Sequence, residues 1–222
     1  MENIYLTKRE IDYRKKHPIN DDFRGAYGSC TYYNDGILKV FHVHIDDDIK
    51  ENIENNLKRE SNIIMYPKCK LFEKRSKKFR GYFMDEAPGK KLLTLRNEII
   101  CGKNDISFEE LLYLYYDMFI PELKKEEVVI NDMKSCQVFI DDNIYLTDTD
   151  TFYDKDNQQV KKWLKDCSYN DVFHSNIHEM NYVFNGVLND IGNQIIWIHH
   201  DELRDVNYIY KYFDEIKKAI IV

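Results

Sequence analysis

The stretch from Val128 to Phe152, VVINDMKSCQVFIDDNIYLTDTDTF, carries the pattern on which the fold prediction depends. It contains two short apolar runs, and each is followed two positions later by an aspartate, Asp132 or Asp148. A strand, a turn and a second strand would hold both carboxylates on loops at one edge of a small β element. Carboxylates held in this way suit one base for a hydroxyl and one ligand for Mg²⁺. A plain β-hairpin with acidic turns is the alternative interpretation.

Three further polar residues of this stretch extend the pattern. Lys134 and Gln137 lie between the two aspartates, and Asp150 follows Asp148 after one threonine. The order resembles the catalytic loop and the metal-binding turn of the protein-kinase-like superfamily, D-x-K-x-x-N followed by D-F-G. The resemblance implies that Asp132 and Lys134 are catalytic and that Asp148 binds the metal. Gln137 stands where the family has asparagine, and Asp150 adds a second carboxylate, so we expect both among the metal ligands.

Composition sets the class of protein and the partners to expect. The chain has 222 residues, 43% of them hydrophobic, enough for one large core or two small lobes around a cleft. Its net charge of -7 argues against a nucleic-acid partner and against an anionic membrane surface. The 5 cysteines are scattered, which predicts neither disulfides nor a cysteine zinc site. Without a visible signal or membrane span, we expect a cytoplasmic location, with delivery into another cell left open.

A lysine on an apolar strand is the main feature of the N-terminal part. Gly25 and Gly28 precede a β-rich run, an Asn-Asp-Gly turn follows, and Lys39 then lies within Ile37–Phe41. The turn predicts a hairpin, and Lys39 would be a buried charge unless an anion meets it. The pattern resembles the glycine-rich loop and the V-A-I-K strand of protein kinases, although Phe23 occupies the place of the first glycine. The resemblance implies that the loop and Lys39 bind the phosphates of ATP.

The next segment, Asp46 to Tyr66, is predicted to be one helix. Acidic residues open it, apolar residues recur at helical spacing, and a proline follows its end. Glu60 lies at the side of the apolar stripe. In the kinase interpretation the segment is the αC helix, and Glu60 resembles the glutamate that pairs with Lys39. An ordinary surface glutamate is the alternative.

Two more strands and a break in the chain follow. The break begins after Met84 and continues through Glu86 and Ala87 to Pro88-Gly89. It resembles the kinase hinge, whose backbone receives adenine, with Met84 in the gatekeeper place. We therefore predict an N-lobe over residues 1–88 and a C-lobe over residues 89–222.

The C-terminal part is predicted to be mostly helical. Ser107 with Glu110 forms a capping box that opens an apolar helix, and helical patterns recur near Gln159–Lys165, Asp171–Leu188 and Arg204–Ile220. The A-P-E motif of protein kinases is missing. The predicted fold class is therefore α+β: a bilobal protein-kinase-like fold with a small β-rich N-lobe, one αC helix and a reduced helical C-lobe.

The resemblance implies an ATP-dependent phosphotransferase that uses Mg²⁺ or Mn²⁺ and acts on a hydroxyl. Serine or threonine of a protein substrate is the leading acceptor, in a compact, divergent Ser/Thr kinase-like protein. A small-molecule alcohol, as in aminoglycoside and choline kinases, is favoured by the missing A-P-E motif. A pseudokinase that binds without turnover is the third hypothesis, motivated by Phe23 and Gln137. Because no arginine precedes Asp132, we expect any activity to be constitutive or partner-controlled. The oligomeric state is unknown from the sequence.

Overall fold

A computed structural model describes residues 2–20, 23–103, 106–164 and 169–198. These residues form a mixed α+β fold, which confirms the predicted class at that level. The helix predicted at Arg204–Ile220 lies outside the described residues. Among the helices that are described, none combines the length and the apolar character needed to cross a membrane.

The N-terminal part is built on a five-stranded sheet in the order β1-β4-β5-β3-β2, in which only β1 and β4 are parallel. The predicted hairpin is confirmed, since Tyr33 pairs with Gly36 across the turn and Asn34 has a φ of 52°. Every residue of β3 is buried, Lys39 included. The strands are β1 (Ile4–Leu6), β2 (Gly28–Tyr33), β3 (Gly36–Phe41), β4 (Pro67–Glu73) and β5 (Phe79–Asp85).

Two helices accompany this sheet. Helix α1 (Lys8–Lys16) begins at a capping box in which Thr7 and Glu10 satisfy each other's backbone N–H groups. Helix α2 (Asp47–Asn56) has acidic residues in its first turn, as predicted, where they oppose the positive end of the helix dipole.

The prediction of one helix over Asp46–Tyr66 is wrong in its second half, because α2 ends at Asn56. Beyond it, the Ser61 hydroxyl accepts hydrogen bonds from the backbone N–H groups of Ile63 and Ile64, at 3.1 and 3.0 Å. Such a side-chain acceptor competes with helical hydrogen bonding. Ile64 also forms a bridge with Leu146, so the apolar residues that continue the helical pattern pack against another sheet.

Among the described residues that follow β5, the longest element is α7 (Tyr169–Ile198), a helix of 30 residues. The predicted capping box of Ser107 and Glu110 is present at the start of α4, and a π-helical segment, Leu114–Phe119, continues that helix. The helices are α3 (Leu92–Ile100), α4 (Phe108–Tyr113), α5 (Ile120–Leu123), α6 (Gln158–Trp163) and α7 (Tyr169–Ile198). The strands form a β6-β8-β9 sheet and a β7-β10 pair: β6 (Lys90–Lys91), β7 (Val128–Val129), β8 (Val138–Ile140), β9 (Ile144–Leu146) and β10 (Tyr153–Asp154).

The largest hydrophobic core lies in this C-terminal part. Tyr115 stacks on Phe184 of α7 with ring centroids 4.1 Å apart, and Phe119 extends the stack. Ile63, Ile64 and Tyr66 belong to the same core although they precede the predicted boundary at residue 88. The five-stranded sheet ends at Asp85 and the second sheet begins at Lys90, so no sheet spans the predicted boundary. The hydrophobic core, in contrast, contains residues from both sides of it.

Close packing between β3 and β5 generates a prediction about stability. A Cβ atom on Gly81 would lie 1.9 Å from the backbone oxygen of Lys39, whereas one on Gly186 of α7 would meet nothing within 4 Å. We expect Gly81→Ala to lower the free energy of unfolding by about 2–4 kcal/mol, because the sheet must separate. Gly186→Ala, the matched control, should change it by about 1 kcal/mol or less, toward greater stability. Urea unfolding measures both, and an unaffected Gly81→Ala would contradict the strand packing.

Candidate functional site

The predicted site residues meet in one cleft of about 230 Å³ between the five-stranded sheet and the Asp132–Asp150 stretch. Its lining contains every one of them except Glu60: Gly25, Gly28, Lys39, Met84, Glu86, Ala87, Asp132, Lys134, Gln137, Asp148 and Asp150. Residues far apart in the sequence are thus brought to one concave site on which polar and charged groups converge, which makes it the candidate ligand site.

The floor of the cleft is a buried ion-pair network around Lys39. The Lys39 ammonium lies 2.8 and 2.7 Å from the two carboxylate oxygens of Asp150 and also contacts Asp148. The Tyr82 hydroxyl donates a hydrogen bond of 2.6 Å to Asp150. Lys39 is 6% exposed and Asp150 is 4% exposed. A buried ammonium is tolerable only with such counter-charges.

The network shifts the pKa of each member. Burial alone would lower the pKa of Lys39, but the carboxylates of Asp150 and Asp148 outweigh it and raise that pKa. Burial would raise the pKa of Asp148, and the Lys39 charge lowers it to about 2. Burial and the neighbouring Asp148 carboxylate raise the pKa of Asp150, against the effect of Lys39. Lys39 therefore stays protonated at neutral pH, which is the state that binds an anion.

Glu60 does not take the predicted place beside Lys39. It is exposed and follows the end of α2, outside the helix. The reason is local, because the helix that was to carry it ends at Asn56. The carboxylates that meet Lys39 instead come from Asp148 and Asp150, both predicted metal ligands.

Helix α2 contacts the acidic turn, residues 148–150, through amides. The Asn56 side chain donates to the backbone oxygens of Thr149 and Phe152, at 3.0 and 3.2 Å, and Asn52 donates to that of Asp150 at 3.4 Å. Both asparagines are fully buried. Sequence reasoning missed them, although two polar residues four apart beside the apolar Ile53 of α2 were an available signal.

The Asp132 loop, residues 131–134, is held from below by α7. Glu179 accepts a hydrogen bond from the Met133 backbone N–H at 2.9 Å, and Asn176 bonds the backbone of Ile130 and Val128, each at 2.8 Å. These supports were not predicted, because nothing in the sequence links residues so far apart.

Two side chains of this loop, those of Asp132 and Lys134, line the cleft. Asp132 is exposed and accepts a hydrogen bond from the Lys134 ammonium at 3.0 Å. Asp132 and Asp148 both have positive φ angles, 55° and 64°. Aspartate tolerates a positive φ better than most residues do. Residues in such strained backbone conformations concentrate at functional sites.

Gln137 is oriented as a support for Asp148. Its amide nitrogen donates to Asp148 at 2.6 Å, while its carbonyl oxygen accepts from the Lys134 backbone N–H at 2.8 Å. Exchanging the two amide atoms would set donor against donor and acceptor against acceptor, so the neighbours determine the orientation. The predicted metal-binding oxygen of Gln137 is therefore turned to the protein backbone.

The glycine turn, residues 23–28, covers the cleft. The Gly25 N–H donates to the Gly28 oxygen at 2.8 Å, and a Cβ on Gly28 would come within 2.8 Å of the Val40 oxygen. Glycine is thus required where the turn meets β3. Phe23, which replaces the first glycine of the family pattern, lies under the Lys91 ammonium at 3.6 Å.

On the opposite wall, Met84 in β5 and Ala87, two residues after the end of that strand, are buried. Gly89 follows with a φ of 78°, and a Cβ there would lie 2.0 Å from the Ile140 oxygen. This glycine lets the chain turn closely against β8 and into the second sheet.

Only part of the predicted metal site fits the donor chemistry. Within the described ranges, no group of three or more His, Cys, Asp or Glu side chains could hold a metal ion. Asp148 has a side chain that is 35% exposed toward the cleft, whereas that of Asp150 is 6% exposed and engaged by Lys39. Mg²⁺ is often bound by one or two carboxylates together with substrate phosphates and water. Asp148 fits that role, and Asp150 and Gln137 do not in this arrangement.

No protein-family model matches this chain, and a search of curated proteins finds no similar sequence.

The shifted pKa of Asp148 predicts sensitivity to acid. Because this pKa is about 2 in the folded chain, below its unfolded value, the associated stability is present above about pH 4 and is lost as pH falls toward 2. We expect the unfolding free energy to fall more steeply in wild type than in Asp148→Asn, as measured by urea unfolding across this range. Asp132→Asn, outside the buried network, should follow wild type. Parallel curves for wild type and Asp148→Asn would contradict the ion pair.

Proposed function

We propose that this chain is an ATP-dependent phosphotransferase that moves the γ-phosphoryl group of ATP to a hydroxyl, on a bilobal protein-kinase-like fold with a reduced C-lobe. One observation carries the proposal: the cleft unites Lys39, Asp148, Asp132 and Lys134, which come from a strand and two loops distant in sequence. These are the charged groups that phosphoryl transfer needs, because that reaction is catalysed mainly by positioning and charge stabilisation.

Each group has a defined task in this proposal. Lys39, protonated on the cleft floor, binds the α- and β-phosphates. Asp148 holds Mg²⁺ or Mn²⁺, which neutralises phosphate charge when bound. Asp132 accepts the proton of the acceptor hydroxyl or positions that hydroxyl, and Lys134 offsets charge on the transferred group.

The nucleotide base has a suitable wall at Met84, Glu86 and Ala87. Met84 and Ala87 supply apolar surface to the cleft, and the proposed partner of the adenine edge is the backbone of this segment. The glycine turn lies above, where backbone can approach phosphate without side-chain obstruction. These residues are the proposed nucleotide contacts, with Gly25 and Gly28 in the turn.

The acceptor in the leading form of the proposal is a protein serine or threonine. A small-molecule alcohol is favoured by one observation. From Asp148 the chain passes through a 3-10 turn and the two-residue β10 directly into α6 at Gln158, so no long segment for docking a peptide intervenes. A pseudokinase is favoured by another, the use of the Gln137 oxygen by Lys134, which leaves Asp148 as the main candidate metal ligand.

The test is transfer from γ-labelled ATP with Mg²⁺ or Mn²⁺ to protein acceptors and to small alcohols. We expect label with wild type and at least a 100-fold loss with Asp148→Ala or Asp132→Asn, since each removes a charge that acts on the reacting groups. Glu60→Gln is the control and should retain activity. Labelling of alcohols alone would select the small-molecule form.

Two other outcomes would revise the proposal. Stabilisation of the fold by Mg²⁺ and ATP, without transfer to any acceptor, would identify a pseudokinase. Absence of both transfer and stabilisation would contradict the proposal that the cleft binds a nucleotide.

A further inference from the structure

We propose that Asp150, supported by Tyr82, is the residue that positions Lys39, so that the position of this lysine does not depend on an ion pair with α2. Asp150 is then a positioning residue and not a metal ligand. We call the contact of Asp150 with Lys39 the anchor. Its role in phosphate binding rests on the proposed function, whereas the anchor itself rests on contacts within the described structure.

The two carboxylates of the acidic turn differ in their contacts and in their exposure. Both oxygens of Asp150 face the Lys39 ammonium, at 2.8 and 2.7 Å, and its side chain is 6% exposed. The side chain of Asp148 is 35% exposed and faces the cleft. A ligand can therefore reach Asp148 while Asp150 continues to neutralise Lys39.

Tyr82 makes this arrangement rigid. It is opposite Lys39 in the β3–β5 pairing, and its hydroxyl donates to Asp150 at 2.6 Å. Its ring also lies 5.8 Å from the Lys39 ammonium. The strand that carries the lysine and the strand beside it thus bind the same carboxylate, which fixes the lysine relative to the sheet.

Helix α2 contributes no charge to this network. Its contacts with the acidic turn are the amide hydrogen bonds of Asn52 and Asn56 to backbone oxygens. Among its acidic residues, Asp47 pairs with Lys50 and Glu54 with Lys70. A displacement of α2 would not remove a counter-charge from Lys39. It could affect the site only through the hydrogen bonds that Asn52 and Asn56 make to the backbone of the acidic turn.

The first test measures the anchor without any nucleotide. The titratable and charged groups facing Lys39 in the described structure are Asp148, Asp150, Cys30 on β2 and Tyr82 on β5. Removing the Asp150 carboxylate should release the Lys39 side chain from its buried contact and leave the amine more accessible to a reagent. We expect Asp150→Asn to raise the rate at which an acetylating reagent modifies Lys39 by at least about 10-fold near pH 9, followed by mass spectrometry.

The controls separate this effect from unfolding. In Glu60→Gln, Lys39 should be acetylated at the wild-type rate. In Asp150→Glu, Lys39 should be partly protected from the reagent. The buried Cys69 thiol serves as an internal reporter, since general unfolding would expose it to a thiol reagent. If Asp150→Asn does not fold, Tyr82→Phe keeps the ring, removes the hydrogen bond to Asp150 and should give a smaller increase in the same direction. Wild-type rates in the Asp150 variant, or in the Tyr82 variant that replaces it, would overturn the anchor.

The second test separates this inference from the proposed function. With calorimetry, we expect wild type to bind ATP more tightly than adenosine and Asp150→Asn to lose at least about 10-fold of that preference, with adenosine affinity unchanged. If wild type binds neither compound, the proposed function fails while the lysine modification result still decides the anchor. If Asp150→Asn keeps the full ATP preference, Asp150 does not position Lys39 for phosphate.

Discussion

The structure around the cleft depends on the need of one buried ammonium for negative charge. Lys39 lies in the middle of a strand whose residues are all buried, so water solvates little of its side chain. The acidic turn supplies two carboxylates, and this attraction joins the five-stranded sheet to the chain that follows β9. Without that turn, the lysine would be an uncompensated charge in the core, among the most destabilising features that a protein can contain.

Support for the acidic turn comes from three directions. Tyr82 approaches from the sheet, Asn52 and Asn56 approach from α2, and Gln137 holds the exposed Asp148 carboxylate. Each of these supporting side chains is a neutral donor. Such donors hold a carboxylate in place without cancelling its charge, and Asp148 keeps its exposed side toward the cleft.

The Asp132 loop is supported differently, from the C-terminal core. The loop takes a backbone conformation with positive φ, and the side chains of Asn176 and Glu179 on α7 bind its backbone. Helix α7 is itself fixed by the aromatic stack of Tyr115 and Phe184. The two carboxylates of the proposed reaction therefore belong to two loops with different main supports, which Gln137 links at one cleft. This arrangement is suited to positioning two substrates.

The sequence by itself determined the local elements and most of the cleft. Apolar runs, turn residues and capping boxes act over a few residues, so the β2–β3 hairpin and the acidic loops could be predicted from them. That Lys39 and Asp148 share one site was predicted from the resemblance of the residue order to the protein-kinase pattern. Only the tertiary structure decided which carboxylate meets Lys39. Helical periodicity continued past Asn56, but Ser61 and the packing of Ile64 against Leu146 ended the helix there, leaving Glu60 exposed. The choice of Asp150 over Glu60 depends on contacts between segments about a hundred positions apart, and no local pattern records such contacts.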